Sequence, residues 1–175
     1  MGVLELTALP SVDREYWIPA VEEVDALLVW GGDVLYLRHW MRESGLFGSV
    51  RPDLVYVEVS AGSMGATSWI GVTYARGKPP KGDNFKSELI SVDTPEGELS
   101  VNFTMASGMG LVDLALLPHF GHERFPENSL LNCEIWASKL PVPLYALDDQ
   151  TAIRGFDGTA EVVSEGHRKR FAPKS

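Results

Sequence analysis

The 175-residue sequence is poor in cysteine, in basic residues and in long apolar runs, and each shortage removes a class of function. Cys133 is the single cysteine, so no intramolecular disulfide can form, and a reducing compartment, the cytoplasm, is expected. Fifteen Lys and Arg stand against 24 Asp and Glu, for a formal net charge of −9 and a pI near 4.9. Nucleic acids and anionic membranes are bound mainly through Lys and Arg, so neither is expected as a partner. The one basic run, "HRKRFAPKS" from His167, reads as the end of a solvated tail over residues 166–175. No apolar stretch is long enough to span a bilayer, and the N-terminus has no basic region leading into an apolar core and a cleavage site. Metal-ligand spacing is missing too. His119, His122 and Glu123 in "HFGHE" lack the i, i+4 histidine pair of the helical zinc motif, so no metal is expected. Neither GxGxxG nor GK[ST] accompanies the one Gly-Gly turn, so no nucleotide cofactor is expected.

What is present has the composition of an ordinary globular domain, 45% hydrophobic and 22% charged, and residues 1–175 are expected to form a single α/β domain. "VLELTAL" (Val3 to Leu9) alternates like a strand, and a helix follows from Ser11 to Val24, with Pro19 its awkward member. "DALLVW" (Asp25 to Trp30) is a short continuous apolar run, as in a strand buried on both faces. It ends at Gly31-Gly32-Asp33, where Asp33 can cap a helix whose Val34, Leu37, Met41 and Leu46 share a face and which Gly45 can close. A second such strand, "DLVYVEV", leads to Ser60, and "AGSMGATSWIGV" begins another helix. Strand, turn and helix so repeated predict a mostly parallel sheet with helices on both faces. Between Thr73 and Ser107 the pattern loosens, and Pro95-Glu96-Gly97 amid alternating residues predicts a hairpin or an extended excursion rather than a core element. "LVDLALLPHF" (Leu111 to Phe120) restores a buried strand that Pro118 ends, and a helix is expected over about residues 126–140 with Pro126 in its first turn. Asp157-Gly158 between alternating runs predicts a closing β-hairpin.

Gly31-Gly32-Asp33, Ser60 and His119 all fall where an expected strand ends, and ligands in open parallel sheets bind at that edge. A serine hydroxyl becomes a useful nucleophile only when a base takes its proton, and the base works only when a third group orients it. His119 is the natural base, with His122 three residues on as the alternative; His39 lies within a helical face and His167 in the tail. An oxyanion needs two converging backbone N–H donors, which the residue after the nucleophile, Ala61, and the glycine turn, Gly32, can supply. Small residues also simply let a helix pack closely on a sheet, so the local pattern alone leaves both readings open.

Four separated pieces together resemble one family. "LLVWGGDVLYLRHWMRESGL" is similar to its Gly-Gly-Asn turn and helix, "VYVEVSAGSMGA" to its nucleophile turn, "GLVDLALLPHF" to its histidine strand and "YALDDQTAIRGFDGTAEVV" to its closing acidic loop and hairpin. These are the dipeptidase E-like serine peptidases, the aspartyl dipeptidases and cyanophycinase relatives, which share the class I glutamine amidotransferase-like fold. The resemblance runs from about Asp25 to Val163. It implies a three-layer α/β/α, flavodoxin-like architecture and hydrolysis of small peptides by a Ser-His-acid triad. Ser60 would attack, His119 would serve as base and then acid, and the N–H groups of Gly32 and Ala61 would hold the oxyanion. The acid is Asp149, with Asp148 its neighbour, on the cyanophycinase-like pattern; on the aspartyl dipeptidase-like pattern the nearest acid is Asp83, with Ala75 or a neighbour at the motif position. Arg124 and Asp33 stand as substrate-binding candidates.

Three departures accompany the resemblance. Asp33 replaces the Asn of the glycine turn, and Glu58 replaces the Gly two residues before the nucleophile. Either acid, if ionised and turned inward, would oppose an oxyanion. The segment before the Gly-Gly turn is also short for the family's further strand-helix unit, which implies either a shortened start or a sheet edge covered by a partner, as in a homodimer. A relative that keeps the fold and binds without catalysis is therefore the second reading.

Overall fold

The computed structural model describes residues 2–74, 85–156 and 159–173. Two compact units are present, Met1–Gly62 and Ser63–Ser175. In the first, α1 (Arg14–Glu22), β1 (Ala26–Val29), α2 (Val34–Glu43) and β2 (Val55–Glu58) follow one another, and β1 and β2 pair in parallel from Ala26↔Val55 to Val29↔Glu58. Pro19 lies inside α1, which survives the loss of a helical hydrogen bond by burying Trp17 and Val21 against Leu9 and Leu46. Asp33 caps α2 as expected: its carboxylate accepts the Tyr36 N–H at 2.8 Å, and Gly45, at φ 66°, turns the chain out of the helix. The strand expected over Val3–Leu9 is absent. Those residues form turns and a 3-10 turn at Leu9–Ser11, where Pro10 sets φ and has no N–H to give a ladder. On β1 and β2, Leu28, Val55 and Val57 are exposed, as are the flanking Trp30 and Val59, so one face of a parallel pair is apolar and uncovered.

In the second unit, α3 (Ala61–Ala66), begun at the end of the first, gives way to β3 (Trp69–Tyr74), where a longer helix was expected. The Thr67 hydroxyl donates to the Met64 carbonyl at 2.8 Å and closes the helix, and the β-branched and aromatic run after it takes up pairing with β5. The expected hairpin is present: β4 (Phe85–Thr94) and β5 (Gly97–Ser107) pair around the Pro95-Glu96 turn, with Gly97 at φ 120°. The histidine strand is shorter than its apolar run, β6 covering Ala115–Leu117. α4 (Leu130–Ala137) starts at Ser129, whose hydroxyl accepts the Asn132 N–H, and not at Pro126, which lies in a turn. β6 pairs in parallel with β7 (Leu144–Leu147), and β8 (Thr151–Phe156) pairs antiparallel with β9 (Thr159–Ser164); the Asp157-Gly158 turn lies outside the described residues.

Residues 168–171 correct the expectation of a solvated tail. They form β10 (Arg168–Phe171), antiparallel to β7 from Arg168↔Leu147 to Phe171↔Leu144. A strand of basic side chains suits a sheet edge, where charge discourages further pairing. The chain is thus mixed α/β: β1–β2 and β6–β7 pair in parallel, Thr67 and Val112 form an isolated parallel bridge, and the other strand pairs among the described residues are antiparallel. These strands form small sheets of two or three strands, β1–β2, β10–β7–β6, β3–β5–β4 and β8–β9. The core of the second unit gathers Phe103, Cys133, Trp136, Leu144 and Ala146, with Phe103 and Trp136 stacked at 6.2 Å. No helix among the described residues is long and apolar enough to cross a membrane.

Candidate active site

In the first unit the parallel pairing of β1 and β2 brings the ends of both strands level, so the Gly31-Gly32 turn lies beside the exit of β2. The Val59 N–H extends the ladder to the Val29 carbonyl at 3.0 Å, and the chain then reverses at Ser60. Ser60 sits at φ 57°, the left-handed region that a residue with a Cβ enters at an expense of about 1–3 kcal/mol. Ser60 thus stands at a sharp turn between the end of β2 and the following helical residues Ala61–Ala66, the backbone form that a nucleophile turn requires. Small neighbours are obligatory here. A Cβ on Gly62 would lie 2.6 Å from the Val29 carbonyl oxygen, and one on Gly31 would lie 3.2 Å from Ser60 Cβ. Close packing, one of the two readings of the Ser-Ala-Gly pattern, is therefore present: close approach is what lets the turn form. Gly32, at φ 134°, and the buried Ala61 flank this turn.

The acids near the serine have specific environments. The Asp33 carboxylate is engaged by the N-terminus of α2 at Tyr36. Glu58 is half-buried, and that burial pushes its carboxyl up to about 7, so near neutral pH it is only partly ionised. Tyr56, two residues earlier on β2, stacks on Phe47 at 5.2 Å, and burial, with the Glu58 charge adding to it, pushes its phenol up.

In the second unit His119 follows β6 and Pro118. With φ 60° it joins Ser60 as the other non-glycine residue in the left-handed region among the described residues. The loop after it is wired to hold that conformation. Phe120 N–H donates to the Leu147 carbonyl at 2.9 Å, and His122 N–H to the His119 carbonyl at 3.2 Å. Gly121 N–H donates to the Asn128 carbonyl at 3.0 Å, and the Asn128 amide returns a bond to the Pro118 carbonyl at 2.9 Å. Phe125 stacks flat on the His119 ring, centroids 4.6 Å apart and planes 13° apart.

Asp149, in the turn between β7 and β8, meets His119 Nδ1 with Oδ1 at 2.7 Å. An ionised carboxylate can only accept, so this bond assigns the ring proton to Nδ1 and leaves Nε2 as the basic nitrogen. That is the tautomer a general base requires. Asp148 turns to a different task. Burial alone would raise its carboxyl, but the His167 N–H, the Thr151 hydroxyl at 2.7 Å and the Gln150 N–H at 3.1 Å hold it below its ordinary value. It thus ties the β8–β9 hairpin to the start of β10, and Gly166 is needed there because a Cβ would lie 2.1 Å from Asp148 Oδ2.

Of the other expected residues, Asp83 and Ala75 lie outside the described residues. Arg124 is exposed, and its backbone N–H donates to His122 Nδ1 at 3.0 Å. Burial raises the Cys133 thiol to about 12, so that cysteine is a core residue and no nucleophile. Among the described residues no group of His, Cys, Asp and Glu is placed to hold a metal ion. Sequence reasoning missed Phe125; its signal was an aromatic residue at the far end of a short loop that Gly121 and Pro126 force back on itself.

The model of peptidase family S51 matches residues 3–163 of the chain. The matched span contains Ser60, His119 and Asp149 and takes in nearly all of the first unit and most of the second. No curated protein matches the chain.

Proposed function

The chain belongs to peptidase family S51, the dipeptidase E family of serine peptidases, and on that premise we propose that it hydrolyses amide bonds of small peptides through an acyl-enzyme on Ser60. Ser60 Oγ attacks the carbonyl carbon and its proton passes to His119 Nε2. The backbone N–H groups of Gly32 and Ala61 hold the oxyanion of the tetrahedral intermediate. His119 then protonates the leaving amine, the C–N bond breaks, and an ester on Ser60 remains. Water attacks this ester with His119 again as base, releasing the acid product and restoring the hydroxyl. Asp149 keeps the imidazole in its Nδ1–H tautomer and stabilises the imidazolium that forms in each half-reaction.

The observation that carries this reading is the shared backbone strain at Ser60 and His119. Strain of this kind persists only where the surroundings enforce it, and it clusters at working residues. The His119–Asp149 bond supports the assignment of Asp149 as the third member. A fluorophosphonate probe tests it: the probe is expected to label the chain at Ser60, not to label Ser60→Ala, and to label His119→Ala far more slowly. Folded chain that is neither labelled nor able to cleave a dipeptide panel refutes the proposal.

The second reading, a binding protein of the same fold, rests on Glu58. An anion there would oppose the oxyanion. Its carboxyl, raised to about 7, is partly neutral at the pH where a cytoplasmic enzyme works, and Asp33 is occupied in capping α2. Both facts favour catalysis over its loss.

A further inference from the structure

Asp149 carries two imidazoles. Besides His119 on Oδ1, His122 approaches its other oxygen, Nε2 to Oδ2 at 3.7 Å. The His122 tautomer follows from its opposite side. The Arg124 N–H donates to His122 Nδ1, so that nitrogen is the acceptor and the ring proton of neutral His122 resides on Nε2, facing the carboxylate. At 3.7 Å the approach is an ion-pair contact, longer than a hydrogen bond, and a small side-chain adjustment closes it. The same loop fixes the ring in place. His122 N–H bonds the His119 carbonyl, Phe125 N–H bonds the His122 carbonyl at 2.9 Å, and His122 lies edge-on to the Phe125 ring that stacks on His119.

The need for such a contact is visible in exposure. The Asp149 side chain is 51% exposed, against 24% for His119 and 35% for His122. A half-exposed carboxylate held through one oxygen is free to turn about its χ angles toward water, and each excursion releases the base from its tautomer and orientation. A second donor on the other oxygen restricts that turning.

We infer that His122 is a positioning residue: it holds Asp149 Oδ2 so that Oδ1 stays on His119 Nδ1. This inference rests on the proposed role of the His119–Asp149 pair. It predicts that His122 acts only through Asp149. His122→Ala is expected to slow fluorophosphonate labelling of Ser60 on the order of tenfold, since slight misplacement of a catalytic group is enough for that. His122→Gln, whose amide can reach the same oxygen, is expected to recover most of the loss. In an Asp149→Asn background His122→Ala is expected to add nothing, because the group it positions no longer works.

An independent readout is the downfield proton resonance of His119 Nδ1–H. In His122→Ala that signal is expected to broaden and shift, while His122→Gln keeps it near the wild-type position. Full additivity with Asp149→Asn, or a His119 resonance unmoved in folded His122→Ala, overturns the inference. If the wild type is never labelled, the proposed peptidase activity fails, and the resonance alone then decides whether His122 positions Asp149.

Discussion

Replacing Glu58 by glutamine gives a quantitative check on how the first unit treats its buried acid. A glutamate in water titrates near 4.5, and burial pushes Glu58 up to about 7. The folded chain therefore binds a proton more tightly at this position than the unfolded chain does. Its contribution to stability is complete below the unfolded value of 4.5 and is lost as pH rises toward and through about 7. Each unit of separation is worth about 1.4 kcal/mol, so the ceiling is roughly 3 kcal/mol. Glu58 is only half-buried, and solvent screening reduces the expected loss to about 2 kcal/mol. Glutamine has no proton to lose and removes this slope.

The assay is urea unfolding of wild type and Glu58→Gln at several pH values from 4 to 8. The difference between the two is the quantity to follow, because every contribution common to both cancels in it. Glu58→Gln is expected to gain about 2 kcal/mol relative to wild type across that range, which for a chain of this length corresponds to several degrees in Tm. The same titration gives the second reading its test. If the Glu58 anion opposes the oxyanion, the ratio of labelling rates, variant over wild type, rises as pH passes 7. A stability difference that is flat with pH refutes the assigned burial. A flat rate ratio refutes any influence of Glu58 on the serine.

Three further substitutions have distinct expected outcomes. Asp149→Asn is expected to slow Ser60 labelling by about 10³- to 10⁴-fold, as losing the orienting acid of a triad does, while leaving Tm nearly unchanged. Asp148→Asn is expected to act mainly on stability, lowering Tm and blunting the loss of stability on acidification, because it is the carboxyl held low by the His167, Thr151 and Gln150 donors, and to slow labelling far less than Asp149→Asn does; swapped phenotypes would reverse the two assignments. Gly62→Ala is expected to destabilise the chain by more than about 2 kcal/mol and to abolish labelling, since its Cβ would lie 2.6 Å from the Val29 carbonyl; a fully labelled, stable Gly62→Ala would show that the turn relaxes without it.

The features legible in the sequence are those whose cause is local. Asp33 capping α2, Gly45 ending it, the Pro95-Glu96-Gly97 hairpin and the serine turn are all set by residues within a few positions of one another. The misread elements depend on distant partners. "WIGVTY" becomes strand because β5 is there to pair with it, and the basic residues 168–171 become β10 because β7 offers an edge. Neither partner can be inferred from periodicity, and a run of Arg and Lys gives no apolar signal at all. Val3 to Leu9 shows the converse, an alternation that pairs with no strand among the described residues.

The choice between Asp148 and Asp149 turns on the same distinction. Adjacent acids in a turn project in different directions, and composition cannot say which faces the histidine. What separates them is a hydrogen-bond demand set elsewhere. The chain entering β10 presents the His167 N–H, and β8 presents the Thr151 hydroxyl; Asp148 satisfies both, which leaves Asp149 for the imidazole. The basic segment expected to be a tail thus has a part in the site: by claiming Asp148 it fixes the turn that brings Asp149 to His119. Shortening the chain before His167 would remove that claim, and the acid of the histidine pair would lose its definition before the histidine loop itself changed.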